Sequence, residues 1–336
     1  MIKEQKTQEA NKQMTDILTQ IRQGCAEIAE QARDVRLNLQ NIDRYAAEIV
    51  TDVRQYAANV WGDDWHYHGD DDAARLSYVL CLDSINFGSG YFNKLKKRID
   101  LSGYASVAVC LKEVYEQHPL TADDFAEMTA IRCAEIFEQD MSDTTMAELM
   151  KNFAEAIRQT GRYLQEHFNG DMLAFIKAAN GSVAKLVEQL IQIPQYQDYA
   201  TYHGKEYPIM KRAQITAADI YCAFGGQGVG DFDDIHRLTI FADNVVPHVL
   251  RYDGLLSYSD DLTARIDGEE YLAHGETAEV ELRACSIHCV ELIHQAMCQQ
   301  SITDLIPTNI DHYIWHKGHE DKYMNKVRHR TKTIYY

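Results

Sequence analysis

Helix-opening signals recur along this chain, and little interrupts the runs that follow them. Thr121 precedes ADDFAEMTAIRCAEIFEQ, Ser142 precedes DTTMAELMKNFAEAIRQTGRYLQEHF, Thr216 precedes AADIYCAF, and Ser259 precedes DDLTARI. A hydroxyl just before a helix accepts a hydrogen bond from an amide that the first turn leaves without a partner, so each is read as a helix start. Proline, which breaks helices, occurs only at positions 119, 194, 208, 247 and 307. In ETAEVELRACSIHCVELIHQAMCQ, the residues Leu282, Cys285, Cys289, Leu292 and Ala296 fall at helical spacing and predict one apolar face. Strand signals are few. YATYHGKEYPIM predicts a short hairpin turning at His203-Gly204, and a second is expected around GYFNKLKKRIDLSGY. The expected fold class is therefore mainly α. One compact helical domain covers residues 25–336 with a minor β-hairpin element, and residues 1–24 form a polar helical extension ahead of it.

Charge narrows the function. The formal net charge is −18 and the isoelectric point is near 5.1. Proteins that hold a phosphate backbone do so with Lys and Arg, releasing counterions as they bind. This chain as a whole repels a polyanion, so a small substrate, or one carrying positive charge, is expected. No apolar run approaches the roughly 18 residues needed to cross a bilayer. The opening MIKEQKTQEANKQMTD lacks the apolar centre of a signal peptide. The eight cysteines at 25, 81, 110, 133, 222, 285, 289 and 298 are scattered through apolar segments without a CxxC pair. Together these features predict reduced thiols, a cytoplasmic location and no membrane contact.

Six stretches carry candidate chemistry. In LTIFADNVVPHVL a single acid, Asp243, interrupts a run suited to burial. Burying a carboxylate is costly unless it is paired or hydrogen-bonded, so Asp243 is a helix cap, an ion-pair member or a working group of a site. A fixed carboxylate there could stabilise or attack an oxocarbenium-like centre. The glycine-rich FGGQGVGDFDD, residues 224–234, sits between a helix at 216–224 and another expected over about 232–242. It matches no nucleotide fingerprint and is read as an inter-helix turn. His66 and His68 lie in WHYHGDDD, and His312, His316 and His319 share one helical face in IDHYIWHKGHED. Without an HExxH or a cysteine pair, these histidines are read as polar pocket lining or a solvated face rather than as zinc ligands. The cysteines of CSIHC, residues 285–289, belong to the apolar stripe and are assigned to the core. In LDSINFGSGYF, Asn86 can read an amide edge among aromatic rings, although a plugged turn fits as well.

In their order along the chain, ARDVRLNL, LDSINFGSGYF, SGYASVAVCLK, KRAQITAADIY, FDDIHRLTIFADNVVPHVL, LSYSDDL, EVELRACSIHCVELI, IDHYIW and HRTKTIYY resemble the queuosine salvage family, the queuosine 5′-phosphate N-glycosylases/hydrolases. The likeness runs from about residue 30 to the last tyrosine. It implies a fold similar to the helix-hairpin-helix DNA glycosylases, with GGQGVG as the hairpin. It also implies hydrolysis of queuosine 5′-monophosphate to queuine and ribose 5-phosphate, feeding queuine back into tRNA modification.

By the same resemblance Asp243 is the catalytic acid, Phe241 stacks on the base, and Lys211 serves the 5′-phosphate. Asp311, with His312 and Trp315, contacts queuine. His66, Asn86, Asn244 and Asp260 complete the substrate-binding set. Queuine is a 7-deazaguanine and lacks the N7 through which purines are often activated by protonation. Catalysis must therefore lean on stabilising charge at the sugar C1′, which a preorganised carboxylate does well. No metal or redox cofactor is implied, no nucleic-acid polymer is bound, and a monomer or small homo-oligomer is expected. The rival readings are a helix-hairpin-helix nucleic-acid glycosylase and a non-catalytic binder of queuine or another deazapurine.

Overall fold

The computed structural model describes residues 15–57, 61 and 64–336, and its centre is the helix Thr277–Gln299. Every side chain from Ala278 to Ile287 is buried, Glu279, Glu281 and Arg283 among them. A helix covered on all sides belongs in the middle of a core. Around it pack Ile17–Gln31, Ile42–Ala57 and Val246–Tyr252. Of the face predicted for it, Leu282, Cys285, Cys289 and Ala296 are buried, while Leu292 is only partly covered. A second group, Ala122–Ala126, Ala130–Ile136 and Thr144–Phe168, packs together. It joins the rest through the helix Asp72–Ser84, which lies on Lys211–Ala223. Fifteen α-helices and two small antiparallel sheets make up the described residues, so the chain is mainly α and shares one core. None of these helices is long and apolar enough to cross a membrane.

The capping signals point to the right neighbourhoods with two corrections. Thr121 and Asp124 form a reciprocal capping box, and Ser259 Oγ accepts from Leu262 N–H at 3.2 Å. The long helix Thr144–Phe168 is capped by Asp143 rather than Ser142, its Oδ1 accepting from the amides of Thr145 and Met146. Thr216 lies inside the helix Lys211–Ala223, its hydroxyl donating to Arg212 O at 2.8 Å. That helix starts early because its first amide, Lys211 N–H, is taken by the distant Asp198 Oδ2 at 3.1 Å. The boundary expected between residues 24 and 25 falls within the continuous helix Ile17–Gln31, which buries Ile17, Leu18, Ile21, Cys25 and Ile28. Residues 1–14 of that extension lie outside the described residues.

The hairpin Tyr199–Tyr202/Lys205–Pro208 forms as expected. His203 and Gly204 both have positive φ, 49° and 79°, the backbone that a tight two-residue hairpin turn requires. The second hairpin, expected around residues 90–104, is absent and the segment runs as turns. Its backbone is satisfied by side chains: Lys96 N–H and C=O both bond the Gln139 amide, and Arg98 N–H donates to Ser106 Oγ. The other sheet pairs Val35–Leu37 with Leu256–Tyr258.

The helix expected over about 232–242 does not form either, so the GGQGVG turn does not join two helices of a hairpin. Asp234 instead accepts from Val183 N–H at 2.6 Å and from Ser182 Oγ at 2.8 Å, pinning the chain to the start of Val183–Leu190. Beyond a single 3-10 turn at Ile235–Arg237 the backbone is held extended. Thr239 N–H donates to Gln214 Oε1 at 2.9 Å and Phe241 N–H to Asp311 Oδ1 at 2.8 Å. Amides committed to distant side chains cannot also serve a helix.

The last residues form an internal strap. Leu272 N–H donates to Arg330 O and Gly88 N–H to Tyr336 O, while Thr331 and Tyr336 are buried. A Cβ on Gly90 would stand 2.2 Å from Thr331 O, a backbone atom that cannot swing aside. We expect Gly90→Ala to cost about 1–3 kcal/mol, the range for overpacking a close contact, read as a lowered denaturation midpoint.

Candidate active site

A cavity of about 250 Å³ opens where the C-terminal end of Asp72–Ser84, the start of Lys211–Ala223, the irregular 238–245 segment and the helix Pro307–Lys317 meet. Nine of the ten residues singled out in the sequence line it: His66, Asn86, Lys211, Phe241, Asp243, Asn244, Asp311, His312 and Trp315. Asp260 does not. It sits exposed in the first turn of Asp260–Asp267, one residue after the Ser259 cap.

Asp243 turns out to be both cap and lining. Its Oδ1 accepts from Val245 N–H at 2.7 Å and Val246 N–H at 3.1 Å, closing the start of Val246–Tyr252. These two bonds fix the carboxylate's direction, and the side chain is half-buried on the cavity wall. Beside it, Asn244 Nδ2 reaches His329 O at 3.5 Å. Asp311 also lines the cavity, 5 % exposed, with Oδ1 held by Phe241 N–H. Burial pushes its carboxyl up to about 8; the Phe241 amide and the Lys211 charge oppose the shift, and the negative charge of Asp243 adds to it. Near neutral pH, Asp311 therefore carries a proton while Asp243 accepts two hydrogen bonds.

Lys211 lines the cavity from the first residue of its helix. Its Nζ donates to Asn86 Oδ1 at 2.8 Å and to Asn86 O at 2.9 Å, and only 4 % of the residue is exposed. Burial lowers its pKa, opposed by the nearby charges of Asp243, Asp83 and Asp311. Asn86 in turn donates to Asp83 Oδ1 at 3.1 Å. Asp219 lines the cavity, and the fully buried Asp83 is close enough for its charge to act on it. Burial raises Asp83 to about 7 and drives Asp219 well above the carboxylate range, the charge of Asp83 adding to the latter. The sequence reading passed over both, although Asp83 interrupts the apolar YVLCLDSINF much as Asp243 interrupts its own run.

A buried clamp ties these parts together. Arg283 and Asp198, 1 % and 2 % exposed as side chains, form a two-pronged ion pair at 2.9 and 2.6 Å. Arg283 Nε also donates to Ala242 O at 3.2 Å, its guanidinium covers the Tyr336 ring at 4.7 Å, and Asp198 holds Lys211 N–H. One ion pair thus fixes the backbone beside Asp243, the first turn bearing Lys211 and the C-terminal tyrosine on the cavity wall.

Aromatic rings make the remaining wall. His66 stacks on Trp61 at 4.0 Å, and Tyr104 stands edge-on to Trp315 at 5.8 Å. Burial lowers His66 to about 3 and His312 to about 4, so both are neutral imidazoles at physiological pH. His312, His316 and His319 all line the cavity. Among the described residues no group of three or more His, Cys, Asp or Glu side chains is arranged to hold a metal ion. Cys285 and Cys289 are buried in the core, and all eight cysteines are unpaired, with Cys298 exposed.

The pocket is walled by aromatic rings, and two carboxyl groups of different character line it, Asp243 held by two amides and Asp311 buried. The chain can be set beside known proteins on this footing. A family model described as queuosine salvage protein matches residues 65–336. The chain is 33% identical over 317 residues to the queuosine 5′-phosphate N-glycosylase/hydrolase of Sphaerobacter thermophilus, covering 92% of this chain and 95% of that protein. It is 30% identical over 328 residues to the Mus musculus protein of the same name (92% and 96%) and 28% over 334 residues to that of Dictyostelium discoideum (95% and 99%). The chain belongs to the queuosine salvage protein family.

Proposed function

We propose that this protein hydrolyses queuosine 5′-monophosphate to queuine and ribose 5-phosphate, with Asp243 as the catalytic carboxylate. The observation that carries the reading is the pairing of two carboxyl groups driven apart in character: Asp243 held as an acceptor by two amides, Asp311 buried and protonated near neutrality. In the reaction the bond between C1′ and the base nitrogen breaks, its electron pair leaving with the base. Asp243 stabilises the positive charge developing at C1′. Asp311, as an O–H donor, offsets the negative charge developing on the base. Water then bonds to C1′, and one of its protons ends on queuine.

Phe241 and Trp315 supply apolar faces for the deazapurine, with Asn244, His312 and His66 along the same wall. Asp219, which lines the cavity, can accept a hydrogen bond from the protonated secondary amine that queuine carries. The −18 net charge favours a free nucleotide over a polynucleotide. The unpaired thiols support a reducing, cytoplasmic setting. We assign no cofactor and expect a monomer or small homo-oligomer.

Incubation with queuosine 5′-monophosphate should release queuine, followed by chromatography; no release at any pH rejects the reading. The pH profile tests the division of labour. Because Asp311 must be protonated, kcat/KM should fall as pH rises through about 8. Asp311→Asn cannot ionise. It should turn over more slowly but lose that alkaline fall, whereas a fall arising from Lys211 would persist in the variant.

A further inference from the structure

If Asp243 faces C1′, the 5′-phosphate lies one ribose away and needs a cation within reach of Asp243 that is not already committed. Lys211 does not meet the condition. Two of its three ammonium protons are spent on Asn86, and the charge of Asp243 beside it opposes a phosphate dianion. Arg328 does meet it. The side chain is partly buried, lines the cavity and feels the charge of Asp243. Among the described residues it has no carboxylate partner at ion-pair distance. That is unusual in this acidic chain, where the part-buried Arg22, Arg75, Arg158, Arg251 and Arg265 all have one.

Its contacts hold it without neutralising it. Nη2 donates to Gly318 O at the C-terminal end of Pro307–Lys317 and lies 3.3 Å from Met324 Sδ. A helix C-terminus favours a cation. Among the described residues Nε and Nη1 have no hydrogen-bond partner, so each can donate separately to a phosphate oxygen.

We propose that Arg328 forms the subsite for the 5′-phosphate of the substrate and so sets the preference for nucleotide over nucleoside. The assignment rests on the glycosidase reading for the position of C1′, and the test separates the two. Ribose 5-phosphate binding is measured by calorimetry on wild type and Arg328→Gln, alongside kcat/KM for queuosine 5′-monophosphate and for queuosine. Arg328→Gln should weaken ribose 5-phosphate binding at least tenfold and lower the nucleotide-to-nucleoside ratio of kcat/KM by a similar factor, mostly through KM. Arg328→Lys should recover part of both. Wild type that does not bind ribose 5-phosphate, or equal binding by wild type and Arg328→Gln, overturns the subsite. Arg328-dependent binding without queuine release from either substrate leaves the subsite standing and removes the hydrolase reading instead. Should Arg328→Gln fail to fold, Arg328→Lys carries the same comparison: a weakened ribose 5-phosphate complex supports the subsite and an unchanged one counts against it.

Discussion

Asp243→Asn is expected to lower the turnover of queuosine 5′-monophosphate by about a thousandfold or more while leaving the fold intact. A thousandfold is about 4 kcal/mol of barrier, a reasonable share for one preorganised charge facing a developing cation in a water-poor pocket. The asparagine is chosen because Asp243 has two jobs. Its Oδ1 closes the first turn of Val246–Tyr252 through the amides of Val245 and Val246, and asparagine caps about as well as aspartate. Asp243→Ala would forfeit those bonds too, at roughly 1 kcal/mol of stability, which muddles the reading. The pair of variants therefore separates cap from catalyst. Both should lose turnover, and only the alanine should lose stability. Near-normal release of queuine by Asp243→Asn would mean that the charge facing C1′ comes from elsewhere, and the mechanism given above would be wrong.

How far the chain announces this site depends on whether a signal is local. An acid inside an apolar run is local, so Asp243 was legible, and the same rule reaches Asp83 in YVLCLDSINF once applied evenly. Hairpin chemistry at His203-Gly204 is equally local and read correctly. What escaped was long-range. Lys211 begins its helix because Asp198, thirteen residues earlier, takes its amide, and the 238–243 segment stays extended because Gln214 and Asp311 claim its N–H groups. No propensity or spacing contains those facts. The helix expected over 232–242 failed for that reason rather than for any weakness in its own residues. Asp260 shows the reverse case: a residue placed in the site by family likeness whose position after a serine cap turns it to solvent.

The Arg283–Asp198 pair gives the second large effect, and here stability and turnover should come apart. Arg283→Met strands the Asp198 carboxylate in the core, and removing one partner of a buried pair typically costs about 3–5 kcal/mol. Chemical denaturation should show a loss of that order. Asp198→Leu should do the same by stranding the guanidinium. Combined, the two changes leave no isolated charge, and replacing a whole buried pair by apolar groups is often neutral. The double variant should therefore be clearly more stable than the sum of the single losses implies, a coupling that a double-mutant cycle isolates. Turnover should not follow it back. Without the pair, Lys211 N–H loses Asp198, Ala242 O loses Arg283, and the Tyr336 ring loses its cation. The backbone on either side of the cavity is then free to drift, and a shift on the scale of 1 Å can cost a hundredfold in rate. The expected signature is a double variant with largely recovered stability and a kcat still depressed by about two orders of magnitude. Recovery of kcat together with stability would reduce the clamp to an ordinary piece of core.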